Sequence, residues 1–95
     1  KKTLTTHGGS DIILSMFYVY ILKCVDESLY VGCTNNLERR FFEHNNSKHG
    51  AHYTKIRRPV ELIYTEHYET LKEARGRESE LKGWRREKKI KLIEK

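Results

Sequence analysis

The chain is poor in cysteine and proline, and it has no long apolar run. Cys24 and Cys33 are its only two cysteines, too few for the disulfide framework of a small secreted domain. With His44, His49, His52 and His67 they show no Cys-x-x-Cys or His-x-x-x-His spacing, which speaks against a structural zinc site. No stretch approaches the ~20 apolar residues of a membrane span. The Ile12-Ile13-Leu14 patch is far too short for the apolar region of a secretory signal. A glycine-rich phosphate loop and a serine elbow are both absent. A length of 95 residues leaves room for one domain with one lean core, and the default is a reduced, cytoplasmic protein.

What the chain has instead is positive charge. Nineteen Lys and Arg against thirteen Asp and Glu leave a net +6, with a pI near 9.4. That balance favours a polyanionic partner, nucleic acid first and an anionic membrane surface second. The excess is concentrated at the C-terminal end, where Arg85, Arg86, Lys88, Lys89, Lys91 and Lys95 face only Glu87 and Glu94. A basic tail on a soluble protein with no polyanionic partner is the plain alternative.

Residues 1–15 are polar, carry Gly8-Gly9-Ser10 and precede Met16, so they are expected to be a leader, tag or disordered extension. Residues 16–95 then form a single domain. Phe17 to Cys24 is almost wholly aliphatic, aromatic or β-branched, which predicts a strand buried on both faces. After the polar turn Val25 to Ser28, Leu29 to Cys33 predicts its partner strand. Thr34-Asn35-Asn36 offers capping chemistry to a helix over Leu37 to His44, with Glu38 in its first turn and Leu37, Phe41 and His44 on one face. Asn45 to Arg58 reads as a polar, basic loop. Pro59 opens a third strand, Val60 to Tyr64, in which Val60, Leu62 and Tyr64 share a face. Thr70 and Glu73 predict a capping box for a helix with Leu71, Ala74, Glu78, Leu81 and Arg85 in one stripe. Lys89 to Ile93 ends the chain as a short basic helix. The order β-β-α-β-α-α defines an α+β domain on a small, mainly antiparallel sheet.

Several residues in this frame carry chemistry. Tyr20 and Tyr30 lie one on each of the first two strands and fall on one face if the strands pair. Packed β-tyrosines are the plain alternative. Arg40 and His44 are one helical turn apart, a fixed cation beside an imidazole, which suits phosphate binding and proton transfer; a solvated helix face would look the same. Glu78 breaks an apolar stripe, so it either pairs with Arg75 or Lys82 at the core edge or binds a hard cation. Glu80, two positions on, points away from it. Gly32 ends the second strand, where a glycine marks close approach to the backbone.

Together these residues resemble the GIY-YIG nuclease superfamily, specifically its small stand-alone, YhbQ-like branch. The two name triplets appear as Tyr18-Val19-Tyr20 and Tyr30-Val31-Gly32, with Tyr18 in place of the first glycine. The likeness continues through Lys55-Ile56-Arg57-Arg58-Pro59-Val60-Glu61-Leu62 and Ala74-Arg75-Gly76-Arg77-Glu78, spanning residues 16 to 93. It implies a three-stranded antiparallel sheet flanked by helices. It implies, position by position, that Tyr20 lies beside the attacking water as general base, that Tyr30 helps orient water or phosphate, and that Arg40 contacts the scissile phosphate. His44 stands where relatives place a His or Tyr, and Glu78 matches the sole acidic ligand of one Mg²⁺ or Mn²⁺ ion. Cys33 follows Gly32 where some relatives carry a basic residue.

The expected activity is metal-dependent hydrolysis of DNA phosphodiester bonds, structure-dependent or weakly selective, in repair or recombination. RNA is the alternative substrate, and a membrane is not expected as a partner. Substrate grip is assigned to Gly32, to the basic loop of Lys55, Arg57 and Arg58, and to Arg85, Lys88 and Lys89. A bare catalytic module with no separate recognition domain implies either such structure-dependent or weakly selective cleavage, or dependence on a targeting partner protein. The competing expectation is a nucleic-acid-binding module of the same fold without turnover.

Overall fold

The computed structural model describes residues 16–95. The reading of residues 1–15 as a leader, tag or extension lies outside the described residues. The element order is β1 (Phe17–Lys23), β2 (Leu29–Thr34), α1 (Leu37–Asn46), α2 (His52–Lys55), β3 (Glu61–Tyr68), α3 (Leu71–Lys82) and α4 (Arg86–Glu94). The strands form one sheet in the order β2-β1-β3, with both pairings antiparallel. The most apolar segment therefore occupies the centre, where helices cover both faces: Val19, Tyr20, Ile21 and Leu22 are all buried.

Strand alternation divides the core in two. On one face Val19, Ile21 and Val31 pack with Ala74 and Leu81 of α3. On the other Tyr20, Leu22, Cys24 and Val60 pack with Leu37 and Phe41 of α1. Each fully buried Ile or Leu contributes about 1.5–3 kcal/mol of apolar burial, so these two thin layers hold the sheet between its helices.

The helix ends follow sequence chemistry. The Asn36 side chain accepts from the Arg39 amide at 3.1 Å at the start of α1, and Thr70 accepts from Glu73 at 3.1 Å at the start of α3. At the far end of α1, Arg58 donates Nε to the His44 carbonyl at 2.6 Å and Nη2 to the Glu43 carbonyl at 3.0 Å. These are carbonyls of the last turn, which the helix itself leaves with unfilled acceptor capacity. Arg86 ties α4 to the β1–β2 turn through the Glu27 carbonyl at 2.7 Å.

Four expectations need correction. Residues 45–58 are not all loop: α2 is a single turn that buries only Thr54, too short to leave an apolar period in the sequence. The third strand begins at Glu61 and runs to Tyr68, and a register shift opposite Ile21/Leu22 puts Leu62 and Tyr64 on opposite faces. That one-residue irregularity reverses side-chain parity, which simple alternation does not anticipate. In the α3 stripe Ala74 and Leu81 are buried, but Leu71 is 45% exposed and Arg85 lies beyond the helix end. The last helix begins at Arg86, three residues earlier than its apolar spots indicate, because its first turn is exposed and charged.

Candidate active site

Tyr20 and Gly32 are directly opposed across β1 and β2. A Cβ on Gly32 would overlap Oη, Cζ and Cε1 of Tyr20, so the absent side chain is the space in which the phenol lies. The close approach expected at Gly32 is thus made by a side chain of the protein itself. Tyr30, two residues earlier on the same face of β2, has its ring centroid 6.5 Å from that of Tyr20. Antiparallel pairing thus brings the two tyrosines onto one face of the sheet.

His44 completes the group from the last turn of α1. It is fully buried, with Nε2 2.7 Å from the Tyr20 hydroxyl and Nδ1 2.7 Å from Thr54 Oγ1. Its ring centroid is 5.1 Å from that of Tyr30. Burial, with the charge of Arg40 behind it, holds the imidazole down at about 4. Burial likewise pushes the Tyr20 phenol well above its usual value; Tyr30 adds to this and Arg40 opposes it. Both groups are therefore neutral near pH 7, joined by one hydrogen bond.

Arg40 lies one turn before His44 and is partly buried. It donates to Glu43 Oε1 at 2.8 Å and to the His49 carbonyl at 2.9 Å. Glu43 thus anchors the guanidinium beside the two rings. Sequence reasoning missed it, although the i,i+3 spacing was available as a signal. Neighbouring Arg39 is mainly exposed.

Glu78 projects from α3 with its side chain 17% exposed, and Lys82 reaches its Oε2 at 3.1 Å. Burial raises the Cys33 thiol and the Glu78 charge adds to it; the same charge acts weakly on Tyr20. Among the described residues no group of three or more His, Cys, Asp or Glu is placed to hold a metal. This donor set does not fit zinc, which takes three or four protein ligands. It fits a hard divalent ion of the magnesium type, which keeps several waters and binds through one or two carboxylates and substrate phosphates. Glu80 is turned away toward Arg77, at 3.1 Å.

The basic residues divide by what they touch. Arg58 is committed to the carbonyls at the end of α1 and to that of Ser47, the residue that caps it. The Arg57 guanidinium lies 3.8 Å over the Tyr53 ring and reaches Asp26 Oδ2 at 3.1 Å. Lys55 is exposed and donates to the Lys48 carbonyl at 3.2 Å. Arg85 and Lys88, with Glu87 and Lys91, line an open cavity of about 280 Å³. Lys88 also sits 4.2 Å over the Trp84 ring, while Lys89 is half-buried. Gly32 lies in the tyrosine pair itself.

Three further features escaped the sequence. Tyr53 stacks against Tyr30 with centroids 5.9 Å apart, extending the aromatic group toward Arg57. Thr54 holds the far side of His44. On the opposite sheet face Glu66 accepts from Arg77 twice, at 2.9 Å each, and from the Tyr64 and Tyr68 hydroxyls. Burial works against the Glu66 carboxylate, but these four donors outweigh it and hold it at about 2. The alternation Tyr64-x-Glu66-x-Tyr68 was the visible signal. This saturated cluster locks β3 to α3.

The GIY-YIG catalytic domain family model matches residues 16–91. The chain is 54% identical over 76 residues to a UPF0213 protein of Staphylococcus saprophyticus, covering 80% of this chain and 92% of that one. A UPF0213 protein of Clostridium perfringens is 55% identical over 78 residues, covering 82% and 83%. Among solved structures, the solution structure of a UPF0213 protein from Bacillus halodurans is 40% identical with a TM-score of 0.55. A protein from E. faecalis is 41% identical with a TM-score of 0.58; both alignments cover 83% of each chain. The chain is therefore a member of the GIY-YIG catalytic domain family, a nuclease-type family. Within it, the chain groups with the small stand-alone UPF0213 proteins. Among the described residues no helix is long and apolar enough to cross a membrane.

Proposed function

We propose that this domain is a metal-dependent endonuclease that hydrolyses phosphodiester bonds in DNA. The observation that carries the reading is the buried hydrogen bond between Tyr20 and His44, with Arg40 beside it. Hydrolysis requires something to take the proton of an in-line water and positive charge near the phosphorane oxygens. A phenol raised by burial is a poor base when it acts alone. Paired to His44, Tyr20 takes the proton of the attacking water as its own passes to Nε2, so no free phenolate has to form.

Arg40 supplies the fixed cation for the non-bridging oxygens, with a geometry that Lys does not reproduce. The phosphate it receives brings negative charge close to His44, offsets the influence of Arg40 and makes the imidazole a better proton acceptor. Tyr30 walls the site and orients water or phosphate. Glu78 would hold one Mg²⁺ or Mn²⁺ ion, which supplies charge stabilisation at the leaving oxygen.

The exposed Arg85, Lys88 and neighbouring Lys91 grip phosphates and read no bases, in keeping with structure-dependent or weakly selective cleavage. Repair or recombination is the setting in which such phosphate-directed, weakly selective cutting is useful, with a partner protein supplying the targeting. The test is cleavage of labelled duplex, single-stranded, flap and branched DNA, with RNA counterparts, in Mg²⁺ or Mn²⁺. EDTA and Glu78→Ala both abolish cutting on this account. Cutting that survives both would remove Glu78 and the metal from the mechanism.

A further inference from the structure

We infer that Thr54 is a positioning residue that fixes His44 as the tautomer protonated at Nδ1, leaving Nε2 free to accept the Tyr20 proton. The argument is a count of hydrogens. A threonine hydroxyl has one proton to give and lone pairs to receive with. Thr54 Oγ1 donates to the Ala51 carbonyl at 3.0 Å, and a carbonyl can only accept. The proton between Thr54 and His44, across 2.7 Å, therefore belongs to Nδ1. Since the imidazole is neutral, Nε2 then carries a lone pair, and the 2.7 Å contact with Tyr20 is an O–H donating to nitrogen.

The opposite tautomer would reverse the chain. Nε2–H would donate to the Tyr20 oxygen, and the phenolic hydrogen would have to turn outward. That polarity gives a proton to water instead of taking one. Thr54 and His44 are both fully buried, so water does not compete for either nitrogen. The device also explains why a one-turn helix interrupts an otherwise polar loop. α2 places Oγ1 against the imidazole while the Ala51 carbonyl, which caps the same turn through the Lys55 amide at 2.9 Å, takes the hydroxyl proton.

The effect on catalysis rests on the endonuclease reading, whereas the tautomer does not, so the test reads both. Long-range ¹H–¹⁵N correlation spectra of histidine-labelled full-length protein at pH 7 report the protonated nitrogen, with His44 assigned by its loss in His44→Gln. The wild type shows Nδ1 protonated and Nε2 bare. Thr54→Val, which keeps the shape and removes the hydroxyl, moves His44 toward the Nε2-protonated form; Thr54→Ser restores the wild-type signature. In parallel, Thr54→Val lowers DNA cleavage by about 10–100-fold, the range found when metal-bound histidines lose their orienting partner, and Thr54→Ser recovers it.

A wild-type His44 protonated at Nε2 overturns the inference, as does a Thr54→Val spectrum identical to wild type. A shifted tautomer with unchanged cleavage removes Thr54 from catalysis. If the wild type cuts no nucleic acid while the spectra behave as described, the endonuclease reading fails and the tautomer assignment stands. Should Thr54→Val not fold, the wild-type and Thr54→Ser spectra still decide the assignment.

Discussion

The Tyr20 hydroxyl lies 2.7 Å from Nε2 of His44, and the two side chains come from elements 24 residues apart in the chain. Neither group is poised for acid–base work in isolation: burial moves the phenol up and the imidazole down. Their chemistry belongs to the pair. A central strand brings one member and the last turn of α1 the other, so the site depends on the packing of α1 against the sheet.

Gly32→Ala tests how tightly that pair is held. A methyl group at this position meets the Tyr20 ring, so the phenol must move away from His44 or the strands must part. Overpacking of this kind costs about 1–3 kcal/mol, and cleavage should fall at least as severely as stability. Denaturant melts of Gly32→Ala, Tyr20→Ala and the double variant would show strong coupling, because the clash disappears with the ring. Additive effects would mean that the glycine serves something else.

Much of this site was legible because its parts obey short-range rules. Strand alternation and a short polar turn place Tyr20 and Tyr30 together, and 3–4 spacing puts Arg40 and His44 on one side of α1. The Asn36 and Thr70 caps follow directly from residue type. What stayed hidden depends on tertiary context. A bulge opposite Ile21/Leu22 leaves no mark in composition, and simple alternation puts Leu62 and Tyr64 on one face. Thr54 is a polar residue in a polar run, and only burial reveals its role. Charge alone does not distinguish Arg58, which serves backbone carbonyls, from Arg85, which remains exposed.

That distinction is measurable. Arg58→Ala removes a charged donor from the end of α1 and should cost about 1.5–3 kcal/mol of stability, with DNA affinity reduced only through unfolding. Arg85→Ala with Lys88→Ala should leave the melting temperature nearly unchanged. The same pair weakens DNA binding and lowers the slope of log affinity against log salt by about 0.9 for each duplex phosphate that is no longer neutralised. A folded Arg58→Ala protein with the same decrease in salt slope would return Arg58 to the substrate surface.

His44 makes stability depend on pH in a defined direction. Its folded value of about 4 lies below the ordinary 6.5, so between those values the unfolded chain binds more protons. The stabilisation is fully present above about pH 6.5 and is lost as the pH falls from there through about 4. Urea titrations across this window should show a decline of a few kcal/mol in the wild type, and a flatter profile in His44→Gln. A wild-type curve as flat as the variant's would contradict a buried neutral imidazole. Glu66, held at about 2, contributes a separate loss at lower pH, from its ordinary 4.5 downward.

The most direct measurement is cleavage by wild type and Tyr20→Phe on the same labelled DNA panel in Mg²⁺, with binding measured in parallel. Phenylalanine keeps the packing against Leu22 and Gly32 and removes only the hydroxyl that meets His44. The account predicts that the wild type cuts, and that Tyr20→Phe binds with the same affinity and salt dependence but cuts about 10²–10⁴-fold more slowly, the usual contribution of a positioned acid–base group. Equal cutting by both proteins would show that the tyrosine–histidine pair does not move the proton. A wild type that binds DNA and cuts none of it would leave this domain a binding module.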